Sequence, residues 1–297
     1  MVSKKKPLLV PLDGSSPAEE PLQVAEAIAE TRNNDIHVLF VSSKPLSLLE
    51  VRARLRVPAG WAERIDLHNA VGEPEEEIPR VAKALDADAI MMSTHGISRR
   101  HEEMAGHVTL QVLQDPPCPV YVLRSALDSA TQAHRLRHLR HIVVPLDGSM
   151  AASRAIAEAC VLAVSASAHL TMLHVINTVP GAGRAPASPL FIDHPHHELE
   201  AWEDEFVRSS FASGIEKVPD HLTVALRVGD PAEEILRYAA EADADLIVPC
   251  CSGLFTPGRA RVVSSLLCRA NAPLLFIISQ QVAAEGADNV ESGAYVA

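Results

Sequence analysis

The string Pro-Leu-Leu-Val-Pro-Leu-Asp-Gly-Ser at 7–15 returns at 141–149 as His-Ile-Val-Val-Pro-Leu-Asp-Gly-Ser. Asp13 and Asp147 are thus equivalent points in two copies of one unit, and any fold for this chain must be built twice. Two further anchors agree: Val71-Gly72-Glu73-Pro74 with Val228-Gly229-Asp230-Pro231, and Ala87-Asp88-Ala89-Ile90 with Ala244-Asp245-Leu246-Ile247. These later pairs lie farther apart than the first, which places an insertion in copy two, in the Pro/Gly/His-rich stretch at about 177–200. A chain of 297 residues suits two domains, each able to bury a core. The expected organisation is a first domain at 1–125, a linker at 126–139 and a second domain at 140–279. The polar, small-residue tail at 280–297 is expected to be disordered.

Each copy alternates short β-branched runs with stretches of helical period. The expected strands of copy one are Leu8–Leu12, His37–Val41, Ile65–Ala70, Ala89–Ser93 and Val120–Leu123. Those of copy two are Ile142–Leu146, His169–Val175, Leu222–Val228, Leu246–Pro249 and Leu274–Ile278. Helical stretches fall between them, at Pro17–Thr31, Pro74–Leu85, Glu103–Leu113, Ala151–Val164, His197–Ile215, Ala232–Ala242 and Arg259–Cys268, which predicts an α/β fold with a parallel sheet covered on both faces. Ser16, Pro17 and Glu19 read as a capping box with proline at the first helical position. The Gly-Glu-Pro and Gly-Asp-Pro strings read as two more helix starts, acidic where the macrodipole favours it.

Composition narrows the partners. A net charge of −12 leaves no broad basic surface for phosphates, which argues against nucleic acid and anionic membranes. The local basic run from His134 to His141 reads as a solvated linker. Five cysteines without a C-x-x-C pair argue against a disulfide framework. No apolar run reaches the roughly 18 residues of a membrane span, and the one at Leu8–Leu12 is too short for a signal sequence, so the chain reads as soluble and cytoplasmic.

In open parallel sheets, ligands settle at the carboxyl ends of strands where the strand order reverses. The loops after the first and fourth strands of copy one are Pro11-Leu12-Asp13-Gly14 and Ser93-Thr94-His95-Gly96, with Gly106-His107-Val108 at the front of the next helix. Glycines let a backbone approach phosphate, and a helix start offers N–H groups to it. Together with the Ala-Asp run into the fourth strand and the closing Pro-Cys-Pro-Val-Tyr-Val, this order of motifs resembles the universal stress protein family over about 5–125 and 139–279. The resemblance implies two tandem doubly wound, Rossmann-like (adenine nucleotide alpha hydrolase-like) domains, with five-stranded parallel sheets in the order 3-2-1-4-5. It also implies an internal pseudo-dimer through the last strands, and it leaves open a homodimer of the whole chain.

By the same resemblance, copy one would hold ATP or another adenine nucleotide, with Mg beside it, through Pro11, Leu12, Asp13, Gly14, Val41, Ser93, Gly96, Gly106, His107 and Val108. The family's phosphate loop, Gly-x-x-Gly, nine residues, then Gly-Ser or Gly-Thr, keeps its spacing here, with Ser93 for the first glycine and His107 for the hydroxyl. Copy two would carry a degenerate site at Pro145, Asp147, Val175, Cys250, Gly253 and Ser264, because Cys250 and Val263 replace two glycines. Asp13 reads equally as a cap of the following turn, Asp147 reads more readily as such a cap than as a ligand contact, and Val41 and Val175 taken alone read as strand packing.

Two other classes stand beside a stress-response binding and signalling module. One is a nucleotide-independent scaffold or binder of an apolar small molecule in copy two. The other is a slow nucleotide hydrolase using Asp13 with His95 or His107. Neither a Walker string nor a Gly-x-Gly-x-x-Gly turn after a strand is present. His194, His196 and His197 lie in a Pro-rich stretch that reads as a solvated loop rather than a metal site, and Cys250-Cys251 reads as buried strand end rather than redox pair.

Overall fold

The computed structural model describes residues 5–16, 18–94, 106–146, 152–177, 217–251 and 257–278. The first half places strands β1 (Pro7–Pro11), β2 (Asp35–Ser42), β3 (Ile65–Val71), β4 (Ala89–Ser93) and β5 (Val120–Leu123) among helices α1 (Glu19–Arg32), α2 (Leu48–Leu55), α3 (Pro74–Leu85) and α4 (His107–Val112). Helix α5 (Ser129–Arg137) leads into the second half. There β6 (His141–Leu146), β7 (His169–Asn177), β8 (Leu222–Gly229), β9 (Leu246–Ile247), β10 (Cys250–Cys251) and β11 (Leu274–Ile278) alternate with α6 (Ala152–Ala166), α7 (Pro231–Glu241) and α8 (Pro257–Arg269).

All strands join one sheet in the order β3-β2-β1-β4-β5-β11-β9-β6-β7-β8, with β10 pairing β11 off this path. The first half thus has the order 3-2-1-4-5, and the second repeats it in mirror sequence. Pairing is parallel within each half and antiparallel only at the seam, where Leu274 faces Val122, Leu275 faces Tyr121 and Phe276 faces Val120. Two hydrophobic layers sandwich the sheet, and both run across the seam. One joins Val24, Ile28 and Tyr121 to Ile156 and Leu275; the other joins Leu113 and Val122 to Leu267 and Phe276.

The fourth strand of the second half departs from the continuous run expected over Leu246–Pro249, since it breaks into β9 and β10 around Val248 and Pro249. Pro249 has no N–H to give the ladder, though its carbonyl still accepts from Ile277 N at 3.1 Å.

The capping box expected at Ser16 does not form. Helix α1 begins at Glu19 behind Ala18, without a side-chain cap, and the Ala18 N–H donates to Leu55 O at 3.1 Å. Pro21 falls in the first turn, where its missing N–H costs nothing. A reciprocal capping box closes α2 instead, between Ser47 and Glu50.

The expected starts of α3 and α7 carry proline at the first position, and Asp230 accepts from Ala232 N at 3.0 Å and Glu233 N at 3.2 Å. The glycines ahead of them, Gly72 and Gly229, share φ of 151°, and a Cβ there would meet the side chains of Glu77 and Glu234 at 3.0 Å and 2.9 Å. The repeated Val-Gly-acid-Pro string is therefore fold chemistry.

Candidate functional site

Strands β1, β2 and β4 are parallel neighbours, paired at Leu9 with His37 and Ile90, so their carboxyl ends form one rim. Beyond Pro11, the Leu12 N–H is held by Leu39 O at 2.9 Å, which starts the loop at a fixed height above the sheet. Asp13 is exposed there, and its Oδ1 accepts from Ser15 N at 2.8 Å, a turn that leads the chain toward α1. Gly14 takes φ of 75°, and a Cβ would lie 3.2 Å from Arg54 O of α2. Glycine is required by both conformation and space. Arg56 follows α2 and donates from Nη2 to Gly14 O at 3.3 Å, so α2 braces this loop from outside.

Val41 is partly buried on β2, paired with Ala70, and packs on the layer that holds Leu9 and Leu39. Ser93, the last residue of β4, is exposed, and Thr94 just beyond it is buried. Thr94 organises this corner: its N–H donates to Leu123 O at 2.8 Å, its carbonyl accepts from Gly106 N at 2.6 Å, and its hydroxyl accepts from Ser125 N at 3.2 Å. The Thr109 hydroxyl adds a bond to Ser93 O at 2.9 Å. Gly106 is thus drawn back against the end of β4, as N-cap of α4, with His107 exposed and Val108 partly buried at the helix start. The structure brings Pro11, Leu12, Asp13, Gly14, Val41, Ser93, Gly106, His107 and Val108 to one rim. Gly96 and His95 lie outside the described residues.

The second half arranges its counterparts differently. Pro145 sits on β6 opposite Leu173, and Val175 sits on β7 opposite Arg227. Cys250 pairs Ile277 in β10 and is partly buried. Val263 is buried inside α8, and Ser264 is exposed in the middle of that helix rather than at its start, unlike Gly106 and His107 on α4. A mid-helix residue has its N–H committed to the preceding turn and offers none to a ligand. Asp147, Gly253 and the histidine-rich 194–197 stretch lie outside the described residues, as do the expected helix over 197–215 and the tail over 280–297.

The strongly perturbed groups lie away from the rim. Burial pushes the Cys118 thiol up to about 12, with Asp88 adding to it, and burial alone pushes Cys160 up to about 11, so both are inert thiols near neutral pH. Among the described residues no cluster of three or more His, Cys, Asp or Glu side chains is placed to hold a metal ion.

The Universal stress protein family profile matches residues 46–124 and 138–277, most of the chain and parts of both halves. The chain belongs to the universal stress protein family. It superposes on a universal stress protein from Archaeoglobus fulgidus DSM 4304 at 20% identity and a TM-score of 0.60, covering 91% of this chain and 97% of that one. A functionally unknown protein from Pseudomonas aeruginosa PAO1 superposes with a TM-score of 0.58 at 16% identity, over 92% of each chain. At these identities the likeness establishes the fold. No curated protein matches the chain. Within this universal stress protein fold, the residues singled out from the sequence omit Thr94, whose buried hydroxyl and backbone tie β4, β5 and α4 together. Its signal was a polar residue between an apolar strand and a glycine-bearing loop.

Proposed function

We propose that this universal stress protein is a cytoplasmic stress-response binding and signalling module, an internal pseudo-dimer whose first half takes an adenine nucleotide, ATP with Mg or a relative, at the β1–β4 rim. The carrying observation is the contrast between the halves. In the first, the Asp13–Gly14 turn, Val41, Ser93 and the Gly106–Val108 helix start converge where the strand order reverses, the position ligands take in open α/β sheets. In the second, Val263 and Ser264 are interior residues of α8. The residues of the first rim fit a nucleotide in kind: an acidic side chain for ribose hydroxyls, an apolar wall at Val41 for the base, and helix-start amides with an exposed imidazole for phosphate.

Gly106 has φ of −57°, which any residue can adopt, so Gly106→Val changes the approach to the backbone without straining it. Protein purified from cells and then denatured should release adenine nucleotide detectable by mass spectrometry. ATP titration should give a saturable signal with the wild type and lose it with Gly106→Val. Neither release nor binding would remove the nucleotide reading.

A second reading draws on the other half. Ile176, Leu226 and Val228 stand 44%, 38% and 58% exposed on one face of the sheet near the carboxyl ends of β7 and β8. That apolar surface favours a nucleotide-independent binder of a small apolar ligand there.

A further inference from the structure

Arg32, the last residue of α1, donates from Nε to Asp88 Oδ2 at 2.7 Å and pairs through Nη1 with Glu158, which belongs to α6 in the other half. The side chains of Arg32, Glu158 and Asp88 are 12%, 24% and 27% exposed, so salt screens them less than surface pairs. Near them lies Tyr121, fully buried and paired with Leu275 across the seam.

The repeat allows the same location to be inspected on the other side of the seam. Asn33 and Ser167 both follow their helices in the left-handed conformation, and they set the correspondence. Arg32 then matches Ala166, and Glu158 matches Val24. The ion pair exists once, while its mirror location holds two apolar side chains.

We propose that the Arg32–Glu158 pair is a recognition element, which makes the β11 edge of the second half accept the β5 edge of the first and reject another copy of itself. An exposed strand edge pairs readily with any other edge, so a chain carrying two related ones needs discrimination. Two first halves would set each Arg32 against Val24. Two second halves would set each Glu158 against Ala166, a carboxylate without a counter-charge in a partly buried place. Charge left unpaired in the wrong complex is how such selectivity is obtained. The preferred partner of the second half is then the first half of the same chain.

The test uses the full chain with Arg32→Met, Glu158→Val and the double variant. Arg32→Met strands two carboxylates and should lower the melting temperature by about 5 °C. The double variant should recover part of that loss, giving non-additive melting shifts. It should also lose selectivity: refolded from denaturant at high protein concentration, it should yield species larger than the wild type yields under the same conditions. Melting losses that simply add, or a double variant that refolds to the wild-type mass, would overturn the proposal. If Glu158→Val fails to fold, Glu158→Gln carries the same two readouts.

Discussion

Asp88 illustrates how a single side chain is set by competing terms. Burial alone would raise its pKa, but the hydrogen bond and charge of Arg32, with Asn34 and Lys6 behind them, prevail and hold the carboxyl below its ordinary value. A carboxyl depressed in the folded state stabilises fully above its unfolded pKa, and the contribution drains away as pH falls through the folded value. Acid titration of the melting temperature should therefore show a fall below the ordinary carboxylate range that is shallower in Asp88→Asn. An unchanged slope would mean that Asp88 is not the linked group. Its counterpart Asp245 is held by other means, accepting from the Arg140 and His141 amides at 2.8 Å and 3.1 Å. The repeat conserves the aspartate and changes what satisfies it.

Among the elements, α5 departs furthest from expectation. Its basic residues suggested a solvated connection over 126–139, yet Ala133 and Leu136 are buried with the first layer, and Gln132 is buried with its amide bonded to Arg124 and Leu127. The arginines are turned to use. Arg137 pairs with Glu26 and Glu30 on α1, while Arg135 donates to Ala244 O and pairs with Asp243 in the second half. Leu136→Ala should cost about 2–4 kcal/mol in chemical denaturation, as a core residue does, where a residue of a solvated linker would cost almost nothing. The reasons for success and failure are physical. Inner strands such as β1, β4 and β5 announced themselves because they are buried on both faces and read as continuous apolar runs. Helix α2 was missed because it covers the sheet with little more than Val51 and Leu55, although Ser47 and Glu50 carried its capping signal. The box at Ser16 was legible but does not form, and the chain there is tied instead through the Ala18 N–H to Leu55 O, a tertiary contact no local pattern contains. Similarly, Val263 and Ser264 align with Gly106 and His107 by spacing, while the helices that hold them begin at different points.

At the scale of the whole molecule, the antiparallel pairing of β5 with β11 and the two hydrophobic layers make one body of two homologous halves. Their meeting was implied by family resemblance and could not be derived from the residues of either strand. Because both layers cross the seam, calorimetry should record one cooperative transition, with the van't Hoff and calorimetric enthalpies equal. Two resolved peaks would show that the halves melt independently. The seam has a geometric consequence as well. Every strand of one half runs opposite to every strand of the other, so the rim at the ends of β1 and β4 and the rim at the ends of β7 and β8 open on opposite margins of the sheet. The molecule is double-ended: whatever docks at one end has the length of the strands between it and the other, and two guests held at once would face away from each other, back to back.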